Sequence, residues 1–360
     1  MIYRLTRYTL AIATLCAAPA FAATTFGEYV TLTGFGTIGG VATNTDEAQF
    51  TADPRQGKGA KKSIDFGVDS KLGLQANANF NDTFSAVGQL LVSRRINQTA
   101  ALEWLYGQAK LPAGFDIKVG RMVLPLFMLS DSRSVGYAAH WLRAPEEVYS
   151  QYTASSFDGG QLVYRNAIGP VNLTAQLSAG KAHGDIGSSS NPNRISDDNI
   201  KSVNVVLESG DWLVRFGQTT ADVTSPFLPF PAIKDKFTGL GVQYDNGTAV
   251  VMAEYVTRRD GGVIAFDSDS WYVSAGWRVG NWTPYATVSH FTATGNAYGG
   301  VPSDSTQALG LRWNAMPNLA LKAQVQNTKG LTTSFTNAAP AFAAGYPKVR
   351  VLSLVADFVF

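Results

Sequence analysis

Apolar and polar residues alternate one by one through segment after segment of this 360-residue chain. Val171, Leu173, Ala175 and Leu177 share one parity, and Asn172, Thr174, Gln176 and Ser178 the other. Leu319, Leu321, Ala323 and Val325 oppose Ala320, Lys322, Gln324 and Gln326 in the same way, and Trp271, Val273, Ala275 and Trp277 oppose Tyr272, Ser274, Gly276 and Arg278. A period of two belongs to extended strands with one apolar and one polar face. The exposed edges of such strands must be paired or covered, which leaves a soluble sandwich or propeller, or a closed barrel.

The connections favour the barrel. Short turns with hairpin chemistry, such as Ser209-Gly210-Asp211, Asp245-Asn246-Gly247 and Gly280-Asn281, alternate with long loops. The long loops are expected at 41–62, 96–102, 122–156, 180–199, 221–236, 259–269, 292–304 and 328–347. Turns on one rim and loops on the other are the asymmetry of a transmembrane antiparallel β-barrel, whose strand number is even. The pattern predicts an all-β barrel of about 16 strands, among them 63–80 and 348–360. On that last strand Leu352, Leu354, Ala356, Phe358 and Phe360 share a face. Trp212, Trp277, Trp282 and Trp313 stand near strand ends on the apolar parity, where an interfacial aromatic girdle would be.

Residues 1–22 read as a secretory signal: Arg4 and Arg7, a short apolar run from Tyr8 to Ala18, and Ala20-Phe21-Ala22 as the cleavage site. The domain expectation is therefore a leader over 1–22 and a barrel over 23–360. The single cysteine, Cys16, falls in the leader. Removing Arg4 and Arg7 with the leader leaves 27 basic residues against 27 acidic ones. That balance gives nucleic acid no electrostatic reason to bind.

Residues 122–156 break the alternation. An apolar run from Val123 to Leu129 leads into Asp131, Arg133, Tyr137, His140, Trp141, Arg143, Glu146, Glu147 and Tyr149. A connection this long inside a compact fold is usually functional. A barrel of this strand number leaves an aqueous hole, and this third long loop is expected to fold into the lumen and narrow it. Asp131, Arg133, Arg143, Glu146 and Glu147 are the loop's candidate constriction charges. Lys71, Arg95, Arg121 and Arg215 are the wall's. Opposed charges across a narrow pore filter solutes by polarity as well as size. Phe127, Trp141, Tyr149 and Tyr152 would pin the loop to the wall, or else form an aromatic track for sugars.

The leader, the sixteen-strand pattern, the long third loop and terminal Phe360 together resemble the general bacterial outer-membrane porin family. Gly120-Arg121 and Arg143-Ala144-Pro145-Glu146-Glu147-Val148-Tyr149 are similar to a proteobacterial porin-like group within it. General porins often carry Pro-Glu-Phe-Gly-Gly at the loop tip, and here Pro145-Glu146 is followed by Glu147-Val148. The resemblance implies passive diffusion of small hydrophilic solutes and ions, no cofactor, a surround of outer-membrane lipid, and a homotrimer latched through 96–102. It places the chain in the outer membrane of a Gram-negative bacterium.

Beside a soluble exported β-protein, two rivals stay open. One is a substrate-selective channel for small anions, favoured by the many inward cations. The other is an outer-membrane barrel hydrolase, for which His140 near Asp131, Ser132 or Ser134 is the one candidate neighbourhood. His140, His183 and His290 lie far apart and lack zinc-ligand spacing. Asp197-Asp198 would suit a cation, but acids in a loop are ordinarily solvated.

Overall fold

The computed structural model describes residues 24–96, 99–188, 191–225, 232–262, 265–295, 303–345 and 347–360. The expected leader at 1–22 lies outside them, and so does part of the expected latch loop, at 97–98.

Sixteen strands form one wall. They are β1 Val30–Thr43, β2 Lys71–Asn79, β3 Phe84–Ser93, β4 Ala100–Lys110, β5 Phe115–Val123, β6 Ser156–Ile168, β7 Val171–Ser188 and β8 Asn191–Ser209. β9 Trp212–Thr224, β10 Ile233–Asp245, β11 Ala249–Arg259, β12 Ser268–Trp277, β13 Trp282–Ala293, β14 Ser303–Met316, β15 Leu319–Lys329 and β16 Lys348–Val359 complete it. Each strand runs antiparallel to its neighbours, and β16 pairs with β1 to close the barrel. The three-residue strand Thr24–Phe26 adds to β1.

The two parities separate as the alternation demands. Leu177, Leu240, Val119, Leu309 and Leu354 are exposed on one face. Lys322, Glu254, Arg215, Asp357 and Ser274 are buried on the other. A lysine on the apolar face at mid-membrane would cost ~2–4 kcal/mol, whereas the inward face tolerates charge. The four girdle tryptophans are exposed, and Trp282 stacks on Trp313 at 5.3 Å.

The seam between the last and first strands is keyed. A Cβ on Gly34 would lie 2.2 Å from the Phe360 ring, and one on Gly36 would lie 2.4 Å from the Phe358 ring. Glycine there lets the two rings lie flat on β1 while Gly34 and Phe360 exchange backbone hydrogen bonds of 2.7 and 2.9 Å.

Two expectations need correction. The strand expected over 63–80 covers only Lys71–Asn79. Asp65 turns the chain ahead of it, accepting the Gly67 N–H at 2.7 Å and pairing with Arg94 at 2.8 Å. The connection expected over 180–199 is instead mostly strand, because β7 and β8 continue as a paired hairpin to Ser188 and Asn191. Outward positions on this extension are polar (Lys181, His183, Asp185 and Arg194), so its alternation carries no apolar signal.

Candidate functional site

Residues 124–155 connect β5 to β6, with a short helix, α1, over Glu146–Tyr149. Their apolar side chains pack on the wall's inward parity. Phe127 stacks on Tyr149 at 4.6 Å and meets Phe237 edge-on at 5.3 Å, and Trp141 meets Tyr272 at 5.4 Å. Phe127, Trp141, Tyr149 and Tyr152 are all buried. They pin the segment and offer no open aromatic track.

Polar anchors fix the rest. On β9, Arg215 donates to the Pro125 carbonyl at 2.5 Å. On β11, Glu254 accepts the Met128 N–H at 2.7 Å and the Tyr149 hydroxyl at 3.1 Å, holding both stems of the segment at once. On β13 and β14, Ser289 and Thr306 donate to the two Glu147 oxygens at 2.6 and 2.5 Å. On β15, the Lys322 ammonium donates to three carbonyls, those of Gly136, Ala139 and Trp141, at 2.7 to 2.9 Å. Its charge is met by Asp357 of β16 at 2.9 Å. Arg312 of β14 takes the Tyr137 and Ala139 carbonyls at 2.7 and 2.6 Å.

The first long loop adds a second tier. Arg143 binds Asp69 through two nitrogens at 3.0 and 2.6 Å and reaches Gln326 and Ser353. Arg133 meets Asp53 at 3.3 Å, and Asp53 also grips Arg55 at 2.6 Å. Burial opposes ionisation of Asp53, yet the Arg55 guanidinium with Arg133 beside it holds the carboxyl well below its usual range.

Burial shapes the other titrating groups of the segment. Glu146 is pushed up to about 8 by burial, opposed by Arg143 and reinforced by the neighbouring Glu147. Burial also raises Glu147, against the pull of its Ser289 and Thr306 hydrogen bonds. His140 is lowered to about 3 by burial and then by the charges of Lys322, Arg278 and Arg312, so it stays neutral. Its Nε2 sits 2.8 Å from the Ser274 hydroxyl. Among the described residues His140 makes no hydrogen bond to Asp131, Ser132 or Ser134.

The candidate charges divide three ways. Arg143, Glu146, Glu147 and Arg215 are sealed between segment and wall, and Arg95 pairs with Glu103 just beyond β3. Arg121 corrects an expectation. It stands on the outward parity, opposite exposed Leu105, and is bound to Asp158 at 2.8 and 2.7 Å. Met122 is the residue that turns inward there. Asp131 is exposed, whereas Arg133 and Lys71 are half-buried. Lys118, over the Tyr106 ring at 5.1 Å, is the wall cation whose charge acts most on Asp131.

A cavity of about 800 Å³ lies between residues 131–138, the wall at β1–β4, the β14–β15 turn at Pro317-Asn318 and the chain end at Val359-Phe360, with Gln75, Gln89, Trp104, Asp131 and Ser132 among its lining. Among the described residues, no hydrogen bond or ion pair joins 124–152 to β2–β6. Asp197 is buried and receives the Tyr152 hydroxyl at 3.0 Å, so it is not a solvated loop acid. Asp53, Glu254 and Lys322 escaped the candidate set. Lys322 and Glu254 had the inward parity that could have flagged them, whereas Asp53 sits in an irregular loop without parity.

Known structures share this architecture. The OmpF of Salmonella typhi, solved in complex with daunomycin, aligns with a TM-score of 0.61 over 92% of this chain and 97% of its own, at 12% identity. The outer-membrane channel DcaP of Acinetobacter baumannii gives 0.59 over 94% and 100%, at 11% identity. An anion-selective porin from Comamonas acidovorans gives 0.58 over 92% and 99%, at 12% identity. At such identities the likeness is one of fold. No curated protein matches the sequence significantly. A family profile described as Gram-negative porin matches residues 9–333. With that match across most of the sequence and a closed sixteen-strand wall, the chain belongs to the Gram-negative porin family and is an outer-membrane channel.

Proposed function

We propose that residues 124–155 lie across the lumen and narrow it, and that small hydrophilic solutes and ions diffuse through the space left beside β1–β6. What carries this reading is the set of anchors from Arg215 to Asp357, all drawn from the parity opposite the apolar face. A segment held on that side of a closed wall occupies the interior. Asp131 and Arg133 from the segment, with Lys71 and Lys118 from the wall, then set the charge of the passage. Arg95, Arg143, Glu146, Glu147 and Arg215 act by holding it in shape. Transport needs no catalysis and no cofactor.

The apolar parity meets outer-membrane lipid, three copies assemble as a homotrimer, and the mature chain starts at Ala23. The trimer draws support from a structural neighbour, OmpT of Vibrio cholerae, described in a trimer form (TM-score 0.58).

Single-channel conductance in a planar bilayer tests the reading, on the protein and on a variant lacking residues 131–147. Discrete steps that grow in the variant are expected. Steps unchanged by the deletion would place the segment outside the passage, and no steps would remove the channel.

A weak preference for anions is a second reading. Among the described residues Lys71 and Lys118 form no ion pair, and one structural neighbour is an anion-selective porin. Reversal potentials in a salt gradient decide it: a cation-selective sign would exclude it.

A further inference from the structure

One row of the unanchored wall carries no charge. In the strand register Thr33 of β1 stands beside Gln75 of β2, Gln75 beside Gln89 of β3, and Gln89 beside Trp104 of β4. All four line the 800 Å³ cavity, which is within the range of about 300–1,000 Å³ common for small-molecule sites.

The amides are already oriented. Gln89 Nε2 donates to Gln75 Oε1 at 2.9 Å, and Gln75 Nε2 donates to Asn77 Oδ1 at 3.0 Å. That chain uses the inner atoms and leaves Gln89 Oε1 as an acceptor at one end and Asn77 Nδ2 as a donor at the other. The Trp104 indole N–H also has no partner among the described residues. Across the cavity Asp131 offers a carboxylate and Ser132 a hydroxyl.

An indole beside a hydrogen-bonded amide chain suits one class of solute. An aromatic face takes a flat, weakly positive C–H surface, and amides serve hydroxyls as donor and acceptor at once. A pyranose ring presents both, whereas an inorganic ion presents neither. We propose that Thr33, Gln75, Gln89 and Trp104 form a subsite that binds a pyranose sugar as it crosses the channel, with Trp104 under the ring. This rests on the channel reading above.

The test is ion current through single channels in planar bilayers with maltose added, and sorbitol as an acyclic control at equal concentration. In the wild type, maltose should reduce the current saturably in the millimolar range, while sorbitol reduces it only slightly and in proportion to concentration. Trp104→Ala should cut the fractional block at a fixed maltose concentration by about fivefold or more. Trp104→Phe, which keeps an aromatic face, should restore most of it, and so separates loss of the face from a damaged barrel. Gln89→Leu should weaken the block to a smaller degree. Equal effects of maltose and sorbitol on the wild type, or an undiminished block in Trp104→Ala, would overturn the subsite. Absence of current steps before any sugar is added would overturn the channel reading and this inference together, so the two failures are distinguishable.

Discussion

The wall from β9 to β16 and the wall from β2 to β6 are made of the same alternating strands, yet they treat residues 124–152 in opposite ways. The first half spends its inward polar groups on the segment: Arg215, Glu254, Ser289, Thr306, Arg312 and Lys322 are each bound to it. The second half turns toward an open cavity with Gln75, Gln89 and Trp104, and farther along with Lys118. The same inward parity therefore does two jobs. Where the segment rests on it, a charge is structural. Where it borders the cavity instead, a charge or an amide would meet the solute on the channel reading proposed above. Parity alone assigns a residue to the interior, and the partner assigns its role.

The contrast breaks most severely at Lys322. Replacing it by Met leaves three carbonyls and Asp357 without their cation. Removing one member of a buried ion pair costs ~3–5 kcal/mol. The unfolding midpoint in urea should fall, and single channels should open wider and flicker. An unchanged midpoint and steady conductance would show that the anchored half does not depend on this cage.

Ser289→Ala removes one of two hydroxyls on buried Glu147. Hydrogen bonds to charged groups contribute ~1.5–3 kcal/mol, so a smaller fall in the same midpoint is expected. The Thr306→Ala variant should match it, and a difference between them in sign would mean that Glu147 is held otherwise.

Acidity sharpens the comparison. The Glu146 carboxyl is raised from the ordinary 4.5 to about 8, so the folded state keeps a proton that the unfolded chain releases. Its contribution is whole below about pH 4.5, declines as pH rises toward 8, and is level above that. The decline is at most ~1.4 kcal/mol per pH unit. Urea midpoints between pH 5 and 8 should therefore slope downward in the wild type and less steeply in Glu146→Gln. Parallel slopes in the two proteins would show that Glu146 does not carry the pH dependence.

The smallest stability effect belongs to the unanchored half. Lys118→Gln should change stability by under ~0.5 kcal/mol, as for substitutions with no buried partner, yet move the reversal potential toward cations. A large stability loss with an unmoved potential would reverse the assignment of the two halves.

The barrel was legible because a period of two survives wherever one face is apolar. Val171 to Ser178 and Leu319 to Gln326 reveal their faces with no knowledge of their neighbours. The signal disappeared where β7 and β8 rise past the apolar zone and outward positions become Lys181 and Arg194. It misled at 63–70, where alternation continued through a turn fixed by Asp65 and Arg94. The charged residues of 124–155 were legible as a cluster, but not their orientations, because an irregular segment has no parity to read. Arg143 finds Gln326 and Ser353 across 183 and 210 residues of sequence, and such pairs are set by closure of the whole barrel. Arg121 failed for a local reason: Asp116 and Met122 turn inward on β5, which leaves Arg121 on the opposite parity.

The caged ammonium of Lys322 has a bearing on how the channel meets salt. Mobile ions screen exposed charges over about 10 Å at 0.1 M and about 3 Å at 1 M, but reach buried pairs far less. Lys71, Lys118 and Asp131 sit where electrolyte can enter, whereas Lys322 and Asp357 are sealed. If these charges line the passage as proposed, brine would erase its taste for charge and leave its bore untouched. Such a channel keeps one calibre from fresh water to sea water and loses only its sense of sign.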